Sequence, residues 1–259
     1  MRDIIKMFKY PSMIKLSAFC AASFAFLLVI FKNGIVIVPE ASEVRIANAV
    51  AIIYGIIFGP AGAVGCAVGN LVGDFGGSLT WLSVGGMLAN FLSAYMPYRV
   101  WSLFSEVCDE KTARPSLSSR KLTMRLTLAT LVAVVPCCAV LGVTFDIFGL
   151  YPAVNMFNVI FCNNIASTIV GVAFFLLLCK LDKGRVPWWK EIMKDDLSNG
   201  DSRKAKKRLA VIAIITALCL AFVLFYNVAN GTRLAPNDSY GETVPLAVFV
   251  AYALASLFL

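Results

Sequence analysis

The sequence contains no histidine among its 259 residues. Histidine is the commonest metal ligand and the commonest general base near neutral pH. Its absence argues against zinc enzymes, haem proteins and hydrolases that use a Ser-His-Asp triad. We therefore expect no catalytic residues, no metal site and no cofactor in this chain.

Charged residues are also scarce. Only 15% of the residues are charged and 59% are apolar, whereas a soluble domain has about 25% charged and about 45–50% apolar residues. The apolar residues come in blocks long enough for helices of roughly 17–25 residues that cross a membrane. The first block lacks a small-residue cleavage pattern, so we interpret it as a retained helix. These features predict an all-α, polytopic bundle embedded in a lipid bilayer.

The sequence lacks two features by which transport proteins use energy: charged residues within the membrane and a nucleotide-binding motif. No Lys, Arg, Asp or Glu falls at the centre of a predicted membrane helix, which argues against a proton-coupled carrier but leaves sodium coupling through carbonyls and hydroxyls open. No GK[ST] follows the glycines, so no P-loop is predicted. The eight cysteines form no CxxC pair and are interpreted as apolar packing residues.

The apolar blocks predict eight membrane segments. They are Ile14 to Phe31, Ile46 to Phe58, Ala61 to Phe75, Leu82 to Trp101, Leu122 to Val143, Ala153 to Cys179, Leu209 to Tyr226, and Val244 to Leu259. The second and third segments meet at Gly59-Pro60, where proline favours a tight turn.

The positive charges predict the orientation of these segments. If the N-terminus is inside, 20 of the 23 Lys and Arg residues lie on the inner side, and Lys32, Arg45 and Arg233 lie outside. Cytoplasmic loops are enriched in Lys and Arg, so we expect both termini in the cytoplasm. This distribution also accounts for the net charge of +8, because basic loops beside membrane helices meet anionic lipid headgroups. No nucleic-acid partner is expected.

A long inner stretch divides the chain into three parts. We expect a six-helix membrane domain over residues 1–180, a basic cytoplasmic linker over 181–208, and a two-helix transmembrane hairpin over 209–259. Trp188 and Trp189 are interpreted as aromatic residues at the membrane interface of a solvated linker. Lys190 to Leu197 is a candidate short surface helix.

Small residues recur at helical spacing in the first and third segments. Gly65, Gly69 and Gly73 form one ridge at i, i+4 and i+8, and packing against another helix is the favoured interpretation. The first segment has two pairs of small residues on neighbouring faces, Ala18 with Ala22 and Ala21 with Ala25. The partner helix can belong to this chain or to another subunit.

Polar side chains concentrate in the outer half of the predicted bundle. The candidate site residues are Glu43, Arg45, Asn48, Asn70, Asp74, Asn90, Asn155 and Asn158, and the pair Asn163-Asn164 lies further into the sixth segment. A membrane-buried amide needs a hydrogen-bond partner on another helix or on a ligand. Any single asparagine is better explained by interhelical bonding, but the group predicts a polar pocket covered by the loop from Lys32 to Arg45. For Glu43 and Arg45, contact with a solute and a loop-closing salt bridge remain equally open.

The block IANAVAIIYGIIFGPAGAVGCAVGNLVGDFGG resembles the second and third helices of the substrate-binding S components of energy-coupling factor (ECF) vitamin transporters. The similarity rests on the turn Phe58-Gly59-Pro60 and on the glycine-rich helix that ends at Gly73-Asp74, and it extends over roughly Ile14 to Cys179. S components have six helices, so the two helices after Arg208 depart from the family pattern.

The resemblance implies a function. The chain would capture a vitamin-like small molecule at the outer face of a bacterial cytoplasmic membrane. A transmembrane coupling subunit and cytoplasmic ATPases would then drive its release inside. The face of Ala18 and Ala22 resembles the surface that S components offer to the coupling subunit. The lack of histidine disfavours nickel or cobalt as cargo, and asparagines with aromatic residues suit a flavin, pterin, deazapurine or pyrimidine.

A second hypothesis is a membrane-embedded enzyme that acts on lipid-linked substrates. Such enzymes usually have clustered acids or histidines at the membrane face. This chain offers Glu106, Asp109 and Glu110 on the inner side without histidine. A third possibility, a scaffold or assembly protein, has no test in the sequence.

Overall fold

The computed structural model describes residues 2–31, 35–38, 42–44, 46–75, 79–107, 120–182, 185–194, 201–231 and 242–258. For residues 35–38, 42–44, 46 and 120–124 it describes the backbone alone. Arg45, Asp109, Glu110, Arg233 and the ends of the predicted roof loop lie outside the described residues.

Helices occupy all eight predicted segments. In chain order the elements are α1 (Arg2–Met7), α2 (Pro11–Ile30), β1 (Ile35–Val38), β2 (Ser42–Val44), α3 (Ile46–Phe58), α4 (Pro60–Asp74), α5 (Leu82–Val107), α6 (Arg120–Ile147), α7 (Ala153–Leu181), α8 (Trp189–Ile192), α9 (Ser202–Asn230) and α10 (Thr243–Phe258). The predicted polytopic helical bundle is therefore confirmed. The loop between α2 and α3 adds a short antiparallel β-hairpin, in which Ile35 pairs with Val44.

Among the residues that the structure describes, four helices are long and apolar enough to cross a membrane by length and composition. They are α2, the part of α6 from Arg125 to Ile147, α7 and α9. Helices α3 and α4 have only 13 and 15 residues, and they are joined end to end by the turn at Gly59. Gly59 has a φ of 57°, a left-handed conformation that favours glycine. We call the end of the bundle that contains this turn the basic end. The opposite end, where the β-hairpin lies, is called the hairpin end.

Helix α4 packs against α2 along the glycine ridge. A Cβ atom on Gly69 would lie 2.7 Å from the carbonyl oxygen of Ala21, and one on Gly65 would lie 2.8 Å from that of Ser17 and closer still to the Cβ of Cys20. These distances are too short for any side chain. The ridge therefore lets the two backbones approach closely, as the spacing predicted.

The same contact separates the two alanine pairs of α2. Ala25 is buried and Ala21 half-buried, since both lie on the face that meets α4. Ala18 and Ala22 are exposed. One pair of small residues is thus used inside the chain, and the other remains on the outer surface of α2.

The segment after α7 folds back under the basic end. Trp188 and Trp189 are 2% and 1% exposed, and the Trp189 ring packs against the Gly59 turn and edge-on against Tyr98 with centroids 4.9 Å apart. The interpretation of these two tryptophans as aromatic residues at the membrane interface of a solvated linker is wrong, because the protein itself buries them. Helix α8 overlaps the candidate surface helix at Lys190–Ile192, but Lys190 is buried, and residues 195–197 of that candidate lie outside the described residues.

The two C-terminal helices pack on the six-helix core. The Phe249 ring in α10 stacks on that of Phe157 in α7, with centroids 5.1 Å apart. The hydroxyl groups of Thr216 in α9 and Tyr252 in α10 are hydrogen-bonded at 3.0 Å. The buried side of the C-terminal pair of helices, α9 and α10, is therefore continuous with the core around α6 and α7.

We expect Gly65→Ala to lower the thermal stability of the purified protein in detergent. Overpacking typically costs about 1–3 kcal/mol, which exceeds the gain of about 1 kcal/mol from replacing a helical glycine by alanine. The matched control is Gly73→Ala, because a Cβ there meets the movable side chain of Leu28 at 3.1 Å. Equal melting temperatures for Gly65→Ala and the wild type would contradict a backbone-to-backbone contact along the ridge.

Candidate functional site

Three of the candidate residues form one cluster between α4 and α5 at the hairpin end. The Nδ2 group of Asn90 donates to Oδ1 of Asn70 at 2.8 Å and to the carbonyl oxygen of Gly86 at 3.0 Å. Asn70 in turn donates to Oδ2 of Asp74 at 3.2 Å. The i, i+4 pairing of Asn70 and Asp74 that the sequence suggested is present. In the absence of a solute, this cluster connects α4 to α5.

A second group lies further into the bundle, where α3, α5, α6 and α7 meet. The Nδ2 group of Asn48 donates to Oδ1 of Asn164 at 2.7 Å, and Asn164 donates to the Sγ atom of Cys137 at 3.4 Å. These amides border a small cavity of about 10 Å³, which is also lined by Ser93 and Thr168. The volume is close to that occupied by one water molecule, so the cavity has no room for a larger solute in this conformation.

The β-hairpin lies beside this group at the mouth of the bundle. Strand β2 packs on α7 and leads directly into α3, whose second turn begins just after Asn48. Glu43 lies in β2, where only the backbone is described, and Arg45 lies outside the described residues. The β-hairpin therefore lies in the loop that the sequence analysis predicted to cover the pocket.

The last two candidate residues lie apart from these groups. Asn158 exchanges two hydrogen bonds with Asn227 of α9, at 2.9 and 3.1 Å. Asn155 is buried and lines a polar pocket of about 140 Å³ between the α6–α7 turn and the C-terminal hairpin, together with Asp146 and Glu242. Asn158 thus connects the core to α9, and Asn155 faces a different opening.

Two asparagines outside the candidate list prove to be more deeply buried than most of its members. Asn163 and Asn164 are each 4% exposed. Asn164 accepts the hydrogen bond from Asn48. The Oδ1 atom of Asn163 has no hydrogen-bond partner among the described residues. The signal in the sequence was the double asparagine in an apolar helix, but spacing alone did not show which helix each side chain faces.

The α4–α5 cluster and the group around Asn48 carry little charge. Asp74 is the one half-buried carboxylate in the α4–α5 cluster, and the cavity around Asn48 is lined by amides, hydroxyls and aliphatic groups among the described residues. Amides both donate and accept hydrogen bonds without carrying charge. Such a lining suits a neutral, polar solute and offers no set of ligands typical of a metal ion within the described part of the chain.

Comparison with known proteins assigns the fold to a family. The family model described as QueT transporter matches residues 14–180, which comprise α2 to α7. A search of curated proteins and a search of solved structures each found no match. Because the model covers more than half of the chain and the helices lie where the resemblance placed them, the chain belongs to the QueT transporter family, which consists of S components of ECF-type transporters for small substrates.

Proposed function

We propose that this protein is the solute-binding subunit of an ECF-type importer in the cytoplasmic membrane. It captures a small molecule at the outer face, and partner subunits hydrolyse ATP to drive uptake. The observation that carries the proposal is the amide pair of Asn48 and Asn164 beside the β-hairpin, within the part of the chain that matches the family. A transport role also disfavours the alternative of an enzyme acting on lipid-linked substrates.

The solute we propose is a precursor of queuosine, the substrate class of this family, and hence a 7-deazapurine. A flat heterocycle with several donors and acceptors matches the amides in the outer half. Glu43, Arg45, Asn48, Asn70, Asp74 and Asn90 remain the proposed binding residues, whereas Asn155 and Asn158 lie apart from them and are not part of the proposed site. The cavity beside Asn48 is too small for a purine-sized ring, so we propose that the β-hairpin moves away from α7 to admit the solute.

The proposed topology places the hairpin end outside and the basic end in the cytoplasm, with both termini inside. In support, the starts of α1 and α9 and the loop after α7 all lie at the basic end, and they hold most of the described Lys and Arg residues. The proposed division remains a six-helix domain over 1–180, a basic linker over 181–208 and a two-helix hairpin over 209–259.

The proposed contact with the coupling subunit is the exposed face of Ala18 and Ala22. Both residues are exposed on a face of α2 that neighbours the face packed against the glycine ridge. A flat, small-residue surface allows another helix to approach closely within lipid. The described part of the chain supplies no helix that covers these two residues, so they remain available to another subunit.

We expect Ala22→Trp to reduce uptake strongly in cells while the purified variant binds 7-deazaguanine with unchanged affinity. A bulky side chain would prevent close approach of the coupling subunit without touching the candidate site. Ala217→Trp is the matched control, because Ala217 is equally exposed but lies on α9, outside the matched family region. A parallel loss of binding and uptake in Ala22→Trp would place this face inside the fold and count against the proposed interface.

We expect Asn48→Ala to weaken the binding of 7-deazaguanine by roughly five- to 150-fold, since an unpaired buried hydrogen-bonding group costs about 1–3 kcal/mol. Calorimetric titration of the purified variant measures this. The control is Thr216→Val, which removes a buried interhelical hydrogen bond between α9 and α10, away from the site. If both variants bind like the wild type, Asn48 is a structural residue only.

We expect a cysteine at Asn237 to react with a membrane-impermeant maleimide in intact cells. Asn237 lies between α9 and α10, on the outside in the proposed topology. The comparison variant is Ser202→Cys at the start of α9, which should react only after lysis. The opposite pattern would invert the proposed orientation.

A further inference from the structure

The side chain of Asn163 is buried without a partner. Asn163 is 4% exposed, and its Oδ1 atom has no hydrogen bond. No described residue bonds either end of this amide, in contrast to Asn48, Asn70, Asn90, Asn158 and Asn164, whose amides are all paired. A buried polar group without a partner is unfavourable and rare in folded proteins. Its presence suggests that the partner arrives from outside the chain.

The geometry of α3 and α7 places Asn163 beside the β-hairpin. The two helices run in the same direction, and Gly171 of α7 packs against the carbonyl group of Ala49 near the start of α3. Asn163 lies eight residues before Gly171, which is about 12 Å nearer the hairpin end. The next residue of α7, Asn164, hydrogen-bonds Asn48 in the first turn of α3, so Asn163 lies level with the start of α3, where β2 leads into that helix. Strand β2 packs on α7, so Asn163 lies where a solute under the hairpin would be held.

The neighbouring residue shows that this position differs from ordinary helix packing. Asn164 is equally buried, but both ends of its amide are used, by Asn48 and by Cys137. Successive residues on a helix point about 100° apart. Asn164 therefore faces α3 and α6, and Asn163 faces another direction at the same depth. The amide of Asn164 connects helices by hydrogen bonds, whereas the amide of Asn163 makes none.

We propose that the amide of Asn163 binds the solute by pairing with a lactam edge, an N–H group next to a carbonyl group on a flat heterocycle. Oδ1 accepts the hydrogen bond from the solute N–H, and Nδ2 donates to the solute carbonyl. This assignment rests on the proposed function, because it takes the site beneath the β-hairpin to be the solute site. It makes Asn163 a specificity-determining residue that selects heterocycles with an unsubstituted lactam.

The test uses 7-deazaguanine and 1-methyl-7-deazaguanine as probes. Both have the ring and the carbonyl group, but the methylated probe has no lactam N–H. We expect the full-length wild type to bind the methylated probe roughly five- to 150-fold more weakly. Asn163→Ala should bind the two probes with equal affinity and should bind 7-deazaguanine more weakly than the wild type does. Asn163→Leu, which keeps the branched shape of the side chain and loses the hydrogen bonds, should behave in the same way.

Thermal unfolding without solute separates a binding role from a structural one. Removing an unused amide should leave the melting temperature of Asn163→Ala and Asn163→Leu unchanged or raised, whereas Asn164→Ala should lower it, because its two partners lose their bonds. Failure of both Asn163 variants to fold would show that the amide is structural and would overturn the assignment.

The titrations distinguish this inference from the function on which it rests. If the wild type binds neither probe, the proposed 7-deazapurine solute is wrong and the assignment is wrong with it. If the wild type binds 7-deazaguanine and the Asn163 variants still discriminate between the probes, the solute is right and the assignment alone is wrong.

Discussion

Hydrocarbon offers no hydrogen-bond partner, so an amide in the membrane-embedded part of a chain needs one on a neighbouring helix or on a ligand. Most of the contacts that define the hairpin end of this bundle follow from that constraint. Asn70 and Asn90 connect α4 to α5, Asn48 and Asn164 connect α3 to α7, and Asn158 and Asn227 connect α7 to α9. Asn163 is the exception among the buried asparagines that the structure describes, since the Oδ1 atom of Asn163 has no partner.

Close backbone packing supplies the rest of the framework. The glycine ridge of α4 uses one face of α2, and this choice leaves the other small-residue face of α2 at the surface. A single helix thus combines an internal contact and an available external one. At the basic end, Trp188 and Trp189 fill the space beneath the α3–α4 turn. The basic end of the bundle is therefore densely packed around aromatic rings, with the Asp3–Arg99 ion pair and buried Arg125 beside them, and the asparagines that suit a solute lie at the other end.

The sequence predicted the helices well because the length and apolarity of each block are local properties. The Gly-Pro turn and the glycine ridge were readable for the same reason. The pairing of the amides was not, since Asn48 and Asn164 are 116 positions apart and a single sequence contains no information on which distant side chains meet. The β-hairpin was treated as a loop, although Ile35–Val38 is a run of β-branched residues that favours a strand. The burial of Trp188 and Trp189 depends on contact with the α3–α4 turn, which lies about 130 residues earlier in the chain, and no local signal shows that these distant segments meet.

The pairing of Asn158 with Asn227 has a consequence for biosynthesis. The two residues are 69 positions apart, and translation proceeds at roughly 5–20 residues per second. For roughly 3–14 s after Asn158 has been synthesised, its final partner therefore does not exist. During that interval the face of α7 that includes Asn158 and Phe157 has no C-terminal hairpin to cover it. An insertion machinery that retains early helices until later ones arrive would shield this face from lipid, and a chain that stopped at residue 180 would leave it permanently uncovered.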